Sequence, residues 1–152
     1  MDLIRERLCV PCTVIVDARV RGWCRLRYPG HPQGCPNYGV VSHCPPGAPL
    51  LTEGAFALLV GVRFDLGAWA RGMKAKHPGW SDRQCRCLLY WQPGIRKALM
   101  LWAVQCKRVH KRTRIWMVPE GSGANIDAMM RGLGHPLEWP PLQFTWAVAL
   151  LT

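Results

Sequence analysis

The stretch between residues 22 and 50 limits the fold of this chain more than any other part of it. Glycine and proline recur throughout it, and it carries Cys24, Cys35 and Cys44. Neither a helix nor a sheet strand tolerates glycine and proline at this density. Long loops inside compact domains are usually functional or disordered. We call residues 22–50 the cysteine loop, and its order must come from something other than regular backbone pairing.

Outside the cysteine loop, the sequence predicts alternating strands and helices. Strands are expected at 13–20, 55–64, 114–118 and 141–151, and helices at 65–77, 81–91, 95–112 and 125–134. Asp65 is placed as the N-cap of the first of these helices, and Gly134 as the C-cap of the last. Such elements pack as a sheet covered by helices on at least one face. We therefore expect an α+β (α/β-like) fold, with residues 1–152 forming a single metal-binding domain around a small mixed sheet.

The central helical region carries its own start and stop signals. Ser81, followed three residues later by Gln84, matches a capping box. The Pro-Gly pair at 93–94 is expected to break or kink the helix. We expect the helix that begins at Ser81 to pack beside the sheet and to bury Leu88 and Leu89.

The cellular compartment bears on how the eight cysteines are interpreted. No apolar run approaches the length that a bilayer requires, and the first residues lack the apolar segment of a signal peptide. The sequence therefore predicts a cytoplasmic protein without membrane contact. In a reducing compartment, clustered cysteines are more often metal ligands or redox groups than disulfides.

The three cysteines of the cysteine loop have the chemistry of metal ligands. Cys24, Cys35 and Cys44 are separated by ten and eight residues, which matches no zinc-finger pattern of paired C-x2-C units. Thiolates prefer soft cations such as zinc or the iron of iron–sulfur clusters. Proline directly follows Cys35 and Cys44, and a Cys-Pro step also occurs at iron–sulfur ligands.

One segment resembles a known signature. "YPGHPQGCPNYGVVSHCPPGAPLL" (28–51) resembles that of an uncharacterised family of predicted metal-binding proteins (domain of unknown function 2284), in which a cysteine precedes C-P-N-Y/F-G and then C-P-P. "KHPGWSDRQCRCLLYWQPGIRKAL" (76–99) and "EGSGANIDAMMRGLGHPLEWPP" (120–141) are similar to the family's central helical segment and its ending. The resemblance covers most of the chain from about Trp23 onward and implies metal or cluster binding, with no assigned reaction. Many family members carry a second cysteine group after the long helix, where this chain has only Cys106.

Three cysteines either need a fourth ligand or leave one position open. The candidates are Cys87, Cys85, Cys106, His43 and the pair Cys9 and Cys12. We choose Cys87 because it lies in the first turns of the Ser81 helix, where backbone N–H groups and the helix dipole lower the pKa of a thiol. The predicted metal ligands are therefore Cys24, Cys35, Cys44 and Cys87.

The leading functional hypothesis is a small metalloprotein with a [4Fe–4S] cluster. It would transfer electrons to a redox partner protein or activate a substrate at the cluster, and the sequence leaves open whether it is an enzyme. The alternative is a zinc-stabilised basic module that docks on RNA, DNA or a larger protein assembly. A third hypothesis treats the cluster as a redox sensor.

The net charge of the chain bears on the second hypothesis, docking on RNA or DNA. With 20 Lys and Arg against 9 Asp and Glu, the net charge of +11 favours contact with phosphate backbones. Five basic residues cluster at the end of the long helix: Lys107, Arg108, Lys111, Arg112 and Arg114. Trp116 could stack on a base beside them. Cations also suit the C-terminal end of a helix, so this cluster has a purely structural explanation as well.

The cysteines outside the loop say less about function, and no catalytic motif adds to them. Cys9 and Cys12 form a C-x2-C pair that is either a redox pair, half of a metal site or two separately buried cysteines. Cys106 and His110 are one helical turn apart and could share a ligand. No Ser/His/Asp order, paired carboxylates or nucleotide-binding loop is found in the sequence.

Overall fold

The fold is built on one antiparallel sheet. The computed structural model describes residues 2–27 and 31–152, and residues 28–30 of the cysteine loop lie outside the described residues. The strands are Ile4–Thr13 (β1), Phe56–Phe64 (β2), Ile115–Trp116 (β3) and Thr145–Leu151 (β4). They are ordered β1-β2-β4-β3. All three strand pairs are antiparallel, so the mixed pairing that we expected is not found among the described strands.

Five α-helices surround this sheet in the described part of the chain. They are Ala18–Gly22 (α1), Leu66–Lys76 (α2), Asp82–Cys85 (α3), Leu88–Val109 (α4) and Ile126–Gly132 (α5). Two short 3-10 turns occupy Trp23–Arg25 and Pro119–Ser122. The α+β class is confirmed. No helix within 2–27 and 31–152 is both long enough and apolar enough to cross a bilayer.

Strand β2 is buried along almost its whole length because helices cover both faces of the sheet. Side chains alternate between the two faces of a strand. Leu59 accordingly packs in one core with Met130 of α5, whereas Val60 packs in a second core with Leu99 of α4. Burying a side chain of this size stabilises the fold by roughly 1.5–3 kcal/mol, so β2 anchors both layers.

The strand expected at 13–20 is wrong. The strand runs earlier, as β1, and the chain then turns into α1. Asp17 caps that helix, because its side chain accepts a hydrogen bond from the Arg19 backbone N–H at 3.0 Å. Between β1 and α1, Val16 forms an isolated bridge to Ala124 instead of continuing the strand. The capping side chain of Asp17 therefore overrides the strand preference of the valines and isoleucine before it.

The helical run after Ser81 is interrupted earlier than expected. Its capping box is confirmed: the Ser81 N–H donates to Gln84 Oε1 at 2.8 Å, and the Gln84 N–H donates to Ser81 Oγ at 3.3 Å. The break falls between α3 and α4, and α4 continues through Pro93. The N–H that proline lacks would have bonded the Leu89 carbonyl. Leu89 is 74% exposed, so water can satisfy that carbonyl.

The burial expected for Leu88 and Leu89 is also wrong. Leu88 is 47% and Leu89 74% exposed. The buried side chains of this region are Cys85, just before the break, and Ile95 and Leu99 further along α4. The helix presents its inner face to the sheet only beyond its first turns, which leaves its start on the surface.

Candidate functional site

The described part of the cysteine loop is a succession of tight backbone turns. The Cys35 N–H donates to the Cys24 carbonyl at 2.7 Å, which brings two distant parts of the loop together. The Tyr38 N–H donates to the Cys35 carbonyl at 3.1 Å, and the Cys44 N–H to the Val41 carbonyl at 2.9 Å. Cys35 and Cys44 are therefore fixed by backbone hydrogen bonds of the loop, and Cys24 by the 3-10 turn Trp23–Arg25 and its bond from Cys35.

Gly34 makes the approach of Cys35 to Cys24 possible. Its φ of +89° lies in the left-handed region that favours glycine. A Cβ atom at this position would lie 2.6 Å from the Cys24 carbonyl oxygen and 2.8 Å from backbone atoms of Arg25. Both the conformation and the close backbone contact therefore require a residue without a side chain.

Arg21 ties the cysteine loop to the body of the protein. Its Nη2 donates to the Pro46 carbonyl at 2.7 Å and to the Ala48 carbonyl at 3.2 Å. Its Nε donates to the Gly121 carbonyl at 3.2 Å. One guanidinium thus satisfies three carbonyls that no helix or strand pairs, and it does so from α1, directly before Cys24.

The segment Pro119–Ser122 forms the floor beneath the loop. The Leu51 N–H donates to the Ser122 carbonyl at 3.0 Å. A Cβ atom on Gly121 would lie 3.0 Å from the His43 carbonyl oxygen, so loop and floor are in close contact. Leu51 and Ala48 are buried against it. The glycine-rich stretch after Glu120 is therefore a packing turn rather than an anion-binding loop.

Charge on Cys35 acts on the other two thiols of the cysteine loop. Burial is the largest cause of the raised pKa of Cys24, and charge on Cys35 and Cys44 raises it further. Burial also raises the pKa of Cys44, charge on Cys35 adds to this, and Arg96 opposes it. All three cysteines are partly exposed. Together with the hydrogen bond from the Cys35 N–H to the Cys24 carbonyl, these effects place Cys24, Cys35 and Cys44 within electrostatic reach of one another.

Glu120 places a carboxyl group beside this cluster. Burial raises the pKa of Glu120, while a hydrogen bond to its own backbone and the charge of Arg96 oppose the shift. Charge on Glu120 in turn raises the pKa of Cys24. A cavity of about 180 Å³ between α4 and β4 is lined by Glu120, Arg96 and Trp146, among others. One acidic side chain therefore acts on Cys24 and one basic side chain on Cys44.

The donor types of this cluster suit a soft metal, but its arrangement does not close around one. Across residues 2–27 and 31–152, no three His, Cys, Asp or Glu side chains are grouped so that they could hold a metal ion. Charges on thiols act on one another over distances longer than a metal–sulfur bond of about 2.3 Å, so these effects do not require ligand-like contact. A metal would therefore have to draw the loop thiols closer together than they stand in this structure.

Cys87 lies outside the cysteine loop, at the start of α4. It is the N-cap of α4, and its backbone N–H donates to the Gln84 carbonyl at 3.1 Å. In the described part of the chain it forms no group with the loop thiols that could hold a metal ion. Its role as fourth ligand stays a prediction.

The other fourth-ligand candidates are separated by the sheet and the core. Cys85 and Cys106 are buried, with 1% and 3% exposure. Cys9 and Cys12 lie three residues apart on β1 and so face opposite sides, Cys9 towards the core of α4 and Cys12 towards that of α5. Burial raises the pKa of Cys12 to about 11, with a smaller opposing effect from its hydrogen bond to the backbone of Leu59. The C-x2-C spacing therefore does not form one site.

His43 is exposed and borders a different space. It lines a cavity of about 320 Å³ together with Met100 and Trp116. Its neighbour Cys44 belongs to the thiol cluster, so adjacent residues face different environments.

The predicted basic cluster lies around an open groove of about 460 Å³. The groove is lined by Val104, Lys107, Arg108, Lys111, Arg112 and Ile115. Arg112 lies over the ring of Phe56 at 4.7 Å, and Arg114 over Trp116 at 3.7 Å. Trp116 also donates its Nε1–H to Thr152 Oγ1 at 3.0 Å. Because Arg114 covers one face of Trp116, that ring is less available for stacking on a base than the sequence suggested. His110 lies exposed beyond the end of α4, whereas Cys106 is buried, so the two do not share a site.

Sequence reasoning missed Arg21, Arg96 and Glu120, which come to the cysteine loop from three separate elements. No local pattern marks them, since each acts through the packing of α1, α4 or the floor segment. Comparisons of the chain with protein-family models, curated proteins and solved structures find no match. The case for this site therefore depends on the residues described above.

We predict that Gly34→Ala destabilises the protein by at least about 1 kcal/mol, the lower end of the range for a strained backbone. The added Cβ would clash with the Cys24 carbonyl oxygen. Gly47→Ala is the matched control in the same loop, because nothing lies within 4 Å of its Cβ position. Urea unfolding of both variants measures the effect. Equal stability of the two variants would contradict the role given to Gly34.

We predict that Glu120→Gln gains stability over the parent as the pH rises. The raised pKa means that folding favours the protonated carboxyl. The contribution of Glu120 is therefore fully present below the ordinary glutamate pKa of about 4.3, and it is lost as the pH rises through the higher folded value. The amide that replaces the carboxyl in the variant stays neutral throughout. Urea unfolding of variant and parent across this pH range measures the difference in stability. Parallel curves of stability against pH would rule out a raised pKa of the Glu120 carboxyl.

Proposed function

We propose that Cys24, Cys35 and Cys44 together bind a thiophilic metal centre, with a [4Fe–4S] cluster as the leading form and zinc as the alternative. The observation that carries this proposal is the position of three partly exposed cysteines in one loop: the Cys35 N–H donates to the Cys24 carbonyl at 2.7 Å, and charge on Cys35 acts on both Cys24 and Cys44. Deprotonated thiols repel one another, and a bound cation removes that repulsion. Metal binding would thus release protons from the cluster and draw the thiols together.

The scaffold of the loop supports this proposal. Arg21 and Gly34 fix the backbone near the cysteines. Metal binding can supply about 10 kcal/mol or more of folding free energy in small metal domains. Because the three cysteine side chains are only partly buried, they can shift while the backbone stays anchored. That freedom is what the closure of the three thiols would require.

Exposed apolar side chains of the cysteine loop favour a role in electron transfer. Four of them are largely exposed: Trp23 at 50%, Leu26 at 62%, Val40 at 79% and Leu50 at 63%. Exposed apolar side chains can contribute to a contact surface for another protein. A redox partner protein docking there would come close to the cluster. Three cysteines would bind three of the four irons of the cluster. If the fourth iron also has a protein ligand, the cluster suits an electron carrier. If its position is open, the cluster suits an enzyme that activates a substrate.

We predict that Cys35→Ser or Cys44→Ser removes most of the bound metal. Each substitution deletes one of the three thiolates, and the described part of the loop contains no further cysteine to replace it. Iron, sulfide and zinc analysis of anaerobically purified protein, with visible absorbance, gives the metal content and distinguishes a coloured cluster from colourless zinc. Cys12→Ser is the matched control, since Cys12 lies in the α5 core. Full metal content in both loop variants, or loss in the control, would overturn the site.

The same assay tests the fourth ligand. If Cys87 completes the site after a movement of the α4 start, Cys87→Ala should bleach the cluster or leave it labile, whereas Cys106→Ala should not. An unchanged spectrum in Cys87→Ala would leave the fourth position open or held by another group.

A second candidate function is binding of RNA or DNA, which the basic groove favours. Lys107, Arg108, Lys111 and Arg112 converge on one concave surface. No acidic side chain is among the described residues that line it. Phosphate groups are the ligands for which such a surface is suited.

We predict that replacing Lys107, Arg108 and Lys111 with Gln weakens nucleic-acid binding and reduces its salt dependence. The slope of log K against log salt should fall by about 0.7–0.9 for each phosphate contact removed. Lys74→Gln, Lys76→Gln and Arg83→Gln form a control set of equal charge change outside the groove. Binding titrations at several salt concentrations measure the slopes. An unchanged slope, or no binding by the parent, would leave the groove without this function.

A further inference from the structure

A separate pair of cysteines lies outside the cysteine loop, where β1 meets α4. Cys9 and Cys106 pack in the same hydrophobic core, Cys9 from the strand and Cys106 from the helix. The indole of Trp102, one helical turn before Cys106, donates its Nε1–H to the Leu8 carbonyl at 2.8 Å. Since residues four apart share one helix face, this bond fixes that face of α4 against the strand beside Cys9.

The two thiols are close enough to interact directly. Burial is the largest cause of the raised pKa of Cys106, at about 12, and the side chain of Cys9 raises it further through a hydrogen bond and its charge. The two members differ in access. Cys9 is partly exposed, whereas Cys106 is 3% exposed. A reagent in solution can therefore reach Cys9 first and cannot reach Cys106 without an opening of the core.

We propose that Cys9 and Cys106 form a dithiol redox site that reacts with a disulfide substrate, either a low-molecular-weight disulfide such as glutathione disulfide or a protein disulfide. Cys9 is the attacking thiol and Cys106 the resolving thiol. The site is independent of the proposed metal centre, because it uses neither the cysteine loop nor its thiols.

The reaction balances as two thiol–disulfide exchanges. The Cys9 thiolate attacks one sulfur of glutathione disulfide, which forms a mixed disulfide and releases one glutathione thiolate. That thiolate takes up the proton that Cys9 had lost. The Cys106 sulfur then attacks the Cys9 Sγ, the S–S bond between Cys9 and the second glutathione breaks, and the departing glutathione sulfur takes the proton of Cys106. Two protein thiols are oxidised to one disulfide, and glutathione disulfide is reduced to two glutathiones.

The resulting bond would join the sheet edge to the longest helix. Residues 9 and 106 are far apart in the sequence, so the disulfide would close a loop that contains β2 and the cysteine loop. Such a link stabilises the folded state by restricting the unfolded chain. Reduced and oxidised forms should therefore differ in stability as well as in mass.

The test is peptide mapping of the native wild-type chain after incubation with glutathione disulfide and alkylation of the remaining thiols. We expect a peptide pair linked through Cys9 and Cys106, with reversal by excess reduced glutathione. The Cys106→Ala variant should instead retain one glutathione on Cys9, whereas Cys9→Ala should leave Cys106 unmodified. Cys12→Ala is the matched control on the opposite sheet face and should form the link as the parent does.

Two results would overturn the proposal. In one, native wild-type protein treated in this way yields Cys9 and Cys106 without the link, either alkylated or carrying glutathione. In the other, wild type and Cys106→Ala accumulate the Cys9 mixed disulfide to the same extent, so that Cys106 resolves nothing. Circular dichroism checks that the variants are folded, and the wild-type map decides the question even if Cys106→Ala does not fold. Metal content, measured on the same samples, is expected to be the same before and after oxidation of this pair.

Discussion

The hydrogen bonds of Arg21 join the two parts of this protein that have least in common. A sheet covered by helices supplies the stability, whereas the cysteine loop has few side chains that could pack. The guanidinium of Arg21 donates to the Pro46, Ala48 and Gly121 carbonyls, so it connects α1, the loop and the floor segment. Carbonyls that lose contact with water and have no partner are costly. Without this one side chain, the part-buried carbonyls of Ala48 and Gly121 would need water or a different loop conformation.

The position of the loop also explains the electrostatics of its thiols. The floor segment carries Glu120 to the cysteines, and α4 carries Arg96 to the same place. The carboxyl raises the pKa of Cys24, and the guanidinium lowers that of Cys44. Because burial outweighs the guanidinium, the pKa of each of these two thiols lies above that of an ordinary cysteine. Cys9 and Cys106 lie in a different core, among apolar side chains.

Much of the fold could be predicted because its signals are local. The Asp65 side chain caps α2 with a 2.8 Å hydrogen bond to the Ala68 N–H, and the continuous apolar run of β2 matches its burial on both faces. Strand β1 was missed because charged residues and Pro11 interrupt its pattern. An edge strand can tolerate both, since one side of it has no neighbour. The exposure of the first turns of α4 likewise depends on tertiary packing, which the sequence pattern alone does not contain.

For the site, the sequence supplied the cysteines but not their surroundings. The C-x2-C spacing of Cys9 and Cys12 suggested a pair that strand alternation separates, while Cys106 lies far from Cys9 in the chain and beside it in the fold. The central claim is that the loop thiols act as one metal-binding unit. Alkylation rates of all eight cysteines, followed by mass spectrometry with and without bound metal, test it most directly. The account predicts strong metal protection of Cys24, Cys35 and Cys44 together, and protection of none or only one of them would contradict it.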